Sequence, residues 1–272
     1  MDLGVDSGVA DVDGGVDAGV EDTGVDGGSD AGFVFNPPRL PLRLFLRSNI
    51  VGNGRPNDLI AVGAFTNTPW EIGVSAGSCG SLPPTPPTQV VSGEGDDGNA
   101  LILEAEDGSE LTALYSAPTG SYGGFVFNPE VTSFAEGSIA LRRAPLDGVQ
   151  YSAMNIGTPP LEGTQLTTPW GRVATDYPRD QSVSATWDPS LDADLVYIEV
   201  EVFNDRDLVR REVCVADVSA GRLEVPSELL VPEAARAGVF VAKADTYPLD
   251  QGGSVFVYKV SRGAFVFFEP NP

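Results

Sequence analysis

The clearest strand pattern in the chain is Val196-Tyr197-Ile198-Glu199-Val200-Glu201-Val202-Phe203. Its aliphatic residues recur at every second position, and Glu199 and Glu201 fall between them. Because successive side chains of a strand point to opposite faces, this alternation predicts a strand with one buried and one solvated face. The polar residues 204–207 then turn the chain into a second apolar run over residues 208–215. The segment therefore predicts two strands joined by a turn.

Similar short strand patterns extend outward from this segment in both directions. In residues 40–46 leucines alternate with Arg43 and Phe45, so that one face is lined by leucine. Short strands separated by turn signals at intervals of about 8–12 residues are typical of β-sandwiches and barrels. The other predicted strands cover residues 59–65, 70–74, 100–105, 111–115, 122–127, 138–142, 222–225, 239–244, 254–260 and 264–268.

These patterns predict an all-β protein with one or two immunoglobulin-like antiparallel β-sandwich domains, preceded by a disordered acidic tail. Trp187, which is followed by strands and Cys214, is analogous to the packing of immunoglobulin-like domains. The turn-rich segment 148–179 is the candidate seam between domains. It places one sandwich at residues 33–160 and an immunoglobulin-like sandwich at residues 161–272. A single composite sandwich is the alternative.

The first 32 residues have the composition of a tether. Between Asp2 and Gly32 there are nine acidic residues and no basic one, and the apolar residues are small. Such a segment cannot bury enough surface to offset its conformational entropy, so we predict a disordered spacer. Asp11-Val12-Asp13-Gly14-Gly15 lacks the ligand spacing of an EF-hand, which leaves weak, nonspecific binding of Ca²⁺.

Composition excludes several classes of function. The chain has no histidine, which removes the commonest general base and the commonest metal ligand. Its net charge of −23 opposes binding to nucleic acid, since that binding rests on Lys and Arg. The loop 92–98 could offer calcium ligands, but a plain polar loop is favoured. We predict no cofactor and no transmembrane segment.

The two cysteines, Cys79 and Cys214, are 135 residues apart. In an oxidising compartment they could form one disulfide that closes a long loop. The alternative is two buried thiols that pack as small apolar groups. Spacing alone does not decide between these two states, because a disulfide requires specific geometry.

A short word recurs along the chain. Gly-Phe-Val-Phe-Asn-Pro occurs at residues 32–37 and again at 124–129, and residues 263–270 form a looser copy. Aromatic and β-branched residues favour a strand and proline ends it, so each copy reads as a strand with a stop. Phe33, Phe35, Phe265 and Phe267 are also candidates for strand addition between molecules, with ordinary sheet strands as the alternative.

Residues 187–189, 196–200 and 221–226, taken with the Asp/Gly-rich tail, carry a resemblance. Their pattern resembles surface lipoprotein-like proteins of myxobacteria-like Gram-negative bacteria. The resemblance implies a secreted or outer-surface protein whose targeting segment is absent from this chain, and it implies no activity.

The leading hypothesis is a non-catalytic extracellular or cell-surface module that binds glycan or protein, with self-association as a further mode of contact. Trp70 and Trp170 each follow a proline at the junction of a loop and a strand, and they are the candidate ligand-binding residues. A structural subunit of an envelope layer or appendage, assembled through terminal strands, is the alternative. A glycoside hydrolase that uses carboxylates alone, such as Glu199 and Glu201, is the second alternative.

Overall fold

The structure, a computed structural model, describes eleven segments of the chain: residues 42–51, 55–66, 72–83, 99–116, 118–127, 133–134, 138–145, 152–155, 167–171, 173–248 and 254–269. The predicted tail, 1–32, lies outside these residues. So do Phe33, Phe35, Trp70 and the loop 92–98.

The described residues form an all-β structure, as the alternating patterns predict. Apart from the strands, its regular elements are single 3₁₀ turns at Val218–Ala220 and Ser227–Leu229. The strands are β1 (Leu42–Val51), β2 (Arg55–Phe65), β3 (Ser78–Leu82), β4 (Asn99–Ala105), β5 (Glu110–Ser116), β6 (Ser121–Phe127), β7 (Ile139–Pro145), β8 (Ser152–Asn155), β9 (Val173–Tyr177), β10 (Val183–Thr186), β11 (Leu195–Asn204), β12 (Asp207–Asp217), β13 (Arg222–Val225), β14 (Ala234–Pro248) and β15 (Ser254–Phe268).

Thirteen of these strands belong to one sheet. Its order is β3-β12-β11-β14-β15-β1-β2-β6-β5-β4-β7-β8, with β9 also paired to β15. The remaining two strands, β10 and β13, form a separate antiparallel pair. The ladders are antiparallel except for β1–β15 and β15–β9, which are parallel. The predicted antiparallel architecture is therefore confirmed, with two parallel ladders at its centre.

Of the three hydrophobic clusters of the described residues, two lie on one face of this sheet, which we call the inner face, and the third, which includes Phe45, Tyr197 and Phe240, lies on the opposite face. The first core contains the leucines at 42, 44 and 46, as their alternation predicts. The second core contains Val196, Ile198 and Val200 together with Trp187. The Trp187 indole N–H donates to the carbonyl of Val218 at 2.6 Å, which satisfies its one polar atom.

The long strands β14 and β15 connect the two cores. Val255 and Val257 of β15 lie in the first core, whereas Ala264 and Val266 lie in the second. Between them, Gly263 has no partner where the β14–β15 register shifts, so a bulge separates the two halves of the strand. The predicted boundary near residue 160 is crossed by the β1–β15 and β3–β12 ladders. Strands from both sides of this position therefore share one sheet, and the division into one or two sandwiches stays a prediction.

A buried ionic cluster lies where the two cores meet. The Lys259 side chain is 2% exposed, and its ammonium donates to the Asp245 carboxylate and, at 2.5 Å, to the Tyr247 hydroxyl. Burial lowers the pKa of Lys259, although Asp245 opposes that change. Burial, and then the Asp245 carboxylate, raise the pKa of Tyr247 to about 12. Lysine is thus held inside the sheet by two oxygen acceptors.

The Tyr247 phenol gives a test of this cluster. In the unfolded chain it loses its proton near pH 10, but the native state keeps it to about pH 12. The native state therefore binds more protons within this window, and stability falls as pH rises through it. We expect the free energy of unfolding of the wild type to fall more steeply than that of Tyr247→Phe when urea denaturation is measured across this range. Parallel curves would contradict the assignment.

Cys79 and Cys214 are joined in a disulfide. The two residues lie directly opposite each other in the β3–β12 ladder, so strand register brings the sulfur atoms together. β3 is an edge strand of five residues. The bond therefore attaches a short edge strand covalently to its neighbour.

Loss of this disulfide should destabilise the fold. The bond closes a loop across a separation of 135 residues. Constraint of so long a loop in the unfolded chain predicts a loss of roughly 2–5 kcal/mol for the double variant Cys79→Ala/Cys214→Ala. Urea denaturation of the variant and of the oxidised wild type measures this difference. Equal midpoints and slopes would show that the bond contributes nothing to stability.

Candidate binding face

The face of the sheet opposite the two cores is the outer face. Strand register places Phe127 of β6, Asp58 of β2, Asn49 of β1 and Arg262 of β15 in one row across it. The next residues of β15 on this face are Phe265 and Phe267, whose partners on β14 are Gly238 and Arg236. The part of the outer face formed by Arg47, Phe125, Phe127, Arg262, Phe265 and Phe267 is called the aromatic–arginine face below.

In the described copies of the Phe-Val-Phe repeat, the valine and the phenylalanines lie on opposite faces of the sheet. In both described copies the valine points into a core, since Val126 is 7% exposed and Val266 is fully buried. The flanking phenylalanines therefore lie on the outer face, where Phe125 and Phe127 are each 57% exposed and Phe267 is 38% exposed. The rings of Phe125 and Phe127 are nearly parallel, with centroids 6.4 Å apart.

Gly124, which precedes the second copy, allows its strand to approach β5 closely. A Cβ at this position would lie 2.9 Å from the Thr112 carbonyl oxygen, too close for any other residue without a backbone shift. Leu114 of β5, which is 54% exposed, lies beside Gly123 on the outer face. The result is an exposed apolar patch of two phenylalanines and one leucine.

The prediction of strand addition through Phe265 and Phe267 is wrong. That mode of assembly needs a free backbone edge. β15 is hydrogen-bonded to β14 on one side of these residues and to β9 on the other, so both edges are occupied. The aromatic side chains are accessible, but the backbone that carries them is not.

The acidic residues of β11 are engaged in ion pairs on the outer face. Glu199 accepts from Arg211 at 3.0 Å, and Glu201 accepts from Arg236 at 2.5 Å. Burial raises the pKa of Glu199, while Arg211 and then Arg47 lower it. Each carboxylate is neutralised by an arginine. The arrangement therefore does not provide the free acid and base that a carboxylate-only glycosidase requires.

Arg47 and Arg262, unlike Arg211 and Arg236, lie over aromatic rings and not against carboxylates. Each guanidinium lies over a phenylalanine ring, Arg47 at 5.3 Å from the Phe240 centroid and Arg262 at 5.4 Å from the Phe265 centroid. Among the residues that the structure describes, neither forms an ion pair with a carboxylate. Asp58, in the same row, accepts a hydrogen bond from Asn49. The Nε of Arg47 is buried and finds no acceptor within the described part of the chain.

Arg262 is strongly affected by its surroundings. Burial, and then the neighbouring positive charges of Arg47 and Arg236, lower its pKa to about 10. Asp58 and Glu201 offset only part of this effect. Arg47 and Arg262 are therefore two partly buried guanidinium groups on neighbouring strands, and the acidic groups around them offset only part of their positive charge.

A stack of aromatic rings supports these arginines from the neighbouring strands. Phe240 and Tyr197 are parallel, with centroids 4.8 Å apart and planes at 4°. The Phe240 ring extends over Gly238, where an added Cβ would lie 2.9 Å from the ring and 3.5 Å from the Arg262 Cδ. Glycine at 238 therefore sets the position of the ring under Arg47.

Gly238→Ala tests this packing. The methyl group must displace a ring that is held between Tyr197 and Arg47, and overpacking of this kind costs about 1–3 kcal/mol. Gly123→Ala is the matched control, because a Cβ there meets nothing within 4 Å on the same face of the sheet. We expect urea denaturation to show the loss for Gly238→Ala and a change within about 0.5 kcal/mol for the control. Similar effects of the two substitutions would contradict the account of Gly238.

The tryptophans lie away from the aromatic–arginine face. Trp170 is half-buried and packs against the second core, with its ring at 5.9 Å from that of Tyr177 in an edge contact. Trp187 is buried, as its position in the predicted core implies. A role of Trp170 in ligand binding stays a prediction.

Sequence reasoning missed Phe125, Phe127, Arg47 and Arg262 as candidate site residues. A signal was present in the alternation itself. In β1 the arginines and Phe45 fall between the leucines, and in the repeated word the phenylalanines flank a valine. Once the leucines and valines are assigned to the cores, the other positions must lie on the opposite face.

The described segments show neither a metal-binding cluster nor a membrane-spanning helix. They contain no group of three or more Cys, Asp or Glu side chains arranged to hold a metal ion. They also contain no helix long and apolar enough to cross a membrane.

No protein-family model matches the chain, and no curated protein matches it. One solved structure, described as structural insight into host cell surface retention of a 1.5-MDa bacterial ice-binding adhesin, has a TM-score of 0.22 and 12% identity over 84% of this chain and 66% of that chain. The crystal structure of a tetra-tandem repeat in the extending region of a large adhesion protein has a TM-score of 0.16 and 13% identity, covering 82% and 49%. The chain thus spans less than two thirds of the first and about half of the second. TM-scores this low do not establish a common arrangement of strands.

Proposed function

We propose that the protein is a non-catalytic binding module of the cell surface or extracellular space, and that its aromatic–arginine face contacts the partner. The observation that carries this proposal is the exposure of Phe125 and Phe127 on the same sheet face as Leu114. Contiguous exposed apolar patches on folded proteins are commonly interaction sites. The disulfide supports an oxidising location, since such bonds persist mainly outside the cytosol.

The chemistry of the face fits a protein partner better than a glycan. Phenylalanine lacks the polar group with which tyrosine and tryptophan also hydrogen-bond a ligand. Aromatic residues and arginine are the types that contribute most to protein–protein interfaces. Complete burial of one phenylalanine side chain against a partner contributes about 1.5–3 kcal/mol. Burial of Phe125 and Phe127 therefore contributes enough binding free energy to decide whether a weakly binding partner stays bound.

The double variant Phe125→Ser/Phe127→Ser tests the proposal. Both rings are more than half exposed, so their removal should leave the fold intact while it weakens binding about tenfold or more. Microspheres coated with the full chain are applied to a random peptide array and to a glycan array. Val209→Ser, which replaces an apolar side chain that is 42% exposed beside the β11–β12 turn, is the matched control.

The wild type and the Val209→Ser control should bind peptide spots that the double variant does not retain. Binding of the glycan array alone would replace protein with glycan as the partner class. Absence of wild-type binding on both arrays, or equal retention of the double variant, would overturn the proposal.

A further inference from the structure

Arg47 and Arg262 lack the counter-charges that the ion pairs of the outer face have. Both side chains are partly buried, and neither forms an ion pair with a carboxylate of the described residues. The Nε of Arg47 is buried and finds no acceptor among those residues. Asp58, in the same row as Arg262, accepts from Asn49. Partly desolvated charges without counter-charges are unfavourable, so the two guanidinium groups favour a ligand that brings a carboxylate.

The two arginines are placed to share one carboxylate. Asn49 lies opposite Arg262 in the parallel β1–β15 ladder, so Arg47, two residues before Asn49, is a diagonal neighbour of Arg262 on the same face. The rings of Phe240 and Phe265 lie under the two guanidinium groups and restrict their positions. A guanidinium presents parallel N–H groups that match both oxygens of a carboxylate. A single carboxylate between the two strands therefore meets both positive charges.

One row of residues connects this pair of arginines with the exposed phenylalanines. Across neighbouring strands the row runs from Phe127 through Asp58 and Asn49 to Arg262. Because strands are about 4.8 Å apart, Arg262 lies roughly 14 Å from Phe127. An extended peptide that crosses the strands turns every second side chain toward the sheet, at intervals of about 6.8 Å. When its first residue covers Phe127, its third faces Asp58 and Asn49, and its fifth reaches Arg262.

The negative charge of the whole chain acts only weakly at this place. The chain carries a net charge of −23, but exposed charges more than about 8 Å apart are largely screened at physiological ionic strength. Nearby, burial and then the positive charges of Arg47 and Arg236 lower the pKa of Arg262, and Asp58 and Glu201 offset only part of this effect. The local field is therefore positive and complements an acidic ligand.

We propose that the aromatic–arginine face binds an extended acidic segment of a partner protein, in which a carboxylate lies four residues from an apolar side chain. The apolar side chain covers Phe127, and the carboxylate binds between Arg47 and Arg262. The residue midway between them is uncharged, because it faces Asp58. The inference rests on the proposed function and adds the charge and the spacing of the partner. Its failure is distinguishable, because a neutral peptide would then bind the phenylalanines as well as an acidic one does.

Three synthetic peptides test the charge and the spacing. The probe contains Phe-Ser-Ser-Ser-Glu between Ser-Gly flanks. The first control, Phe-Ser-Glu-Ser-Ser, keeps the composition and the charge but places the carboxylate over Asp58. The second control, Phe-Ser-Ser-Ser-Gln, removes the charge. Each peptide is made in both chain directions, because the row of residues does not fix the direction of the segment. Biotinylated peptides are held at equal density on a sensor surface, and binding of the full chain is measured by biolayer interferometry at two salt concentrations.

In at least one direction, the probe should bind the full chain about tenfold more tightly than either control does, since hydrogen bonds to charged groups contribute that much. Added salt should weaken this binding. Equal affinity of the three peptides would overturn the inference and leave the proposed function standing. Absence of binding by all three would also overturn it, whereas the proposed function is decided by the two arrays. Trigalacturonate that binds the chain more tightly than the probe would replace the acidic peptide with an acidic polysaccharide.

Variants of the protein assign the binding to the two arginines. Arg47→Gln/Arg262→Gln should lower the affinity for the probe to that of the glutamine control peptide. Arg222→Gln, which changes an exposed arginine of β13 outside the aromatic–arginine face, should leave it unchanged. If the double glutamine variant does not fold, Arg47→Lys/Arg262→Lys takes its place, and the loss of the paired N–H groups should weaken binding several-fold. Unchanged affinity in either folded double variant would contradict binding through the guanidinium groups.

Discussion

The hydrogen bonding of β15 on both edges is the constraint from which the rest of the structure follows. β14 occupies one edge, whereas β1 and then β9 occupy the other. The backbone of its fifteen residues is therefore paired within the sheet. These residues differ in role only through the face of the sheet to which each side chain points. The bulge at Gly263 lets the strand serve two successive cores without leaving the sheet. The side chains of β15 that do not enter these two cores lie on the outer face, where Tyr258 and Val260 belong to the third apolar cluster.

The outer face carries the third apolar cluster and, beside it, charged residues of β11, β1 and β15. Glu199 and Glu201 remain there because Arg211 and Arg236 neutralise them. Arg47 of β1 and Arg262 of β15 instead lie over aromatic rings and form no ion pair with a described carboxylate. A cation over a ring gains about 0.5–2 kcal/mol, which does not replace the hydration lost on burial. This imbalance is localised on a protein whose total charge has the opposite sign.

Local patterns in the sequence predict the strands but not their partners. The leucines of β1 and the valines of β11 lie in cores because a period of two assigns a face to each position. The parallel ladder between β1 and β15 joins residues more than 200 positions apart, and no local signal specifies it. The same limit applies to the disulfide, since register alone brings Cys79 opposite Cys214. The error about strand addition at Phe265 has this origin as well, because an edge is a property of neighbours.

The exposed phenylalanines at 125 and 127 are rigid, and this bears on how they bind. Val126 is fixed in the first core between them, and the absence of a side chain at Gly124 lets β5 pack closely behind. Side chains that are already ordered lose little entropy when a partner covers them. Their apolar area therefore contributes more fully to affinity than the same area on a loop would. Arg47 lies two strands away and Arg262 three, roughly 10 and 14 Å, so a single extended segment can reach both features. Apolar contact then supplies most of the binding free energy, and the paired guanidinium groups select partners whose carboxylates fall at the right distance.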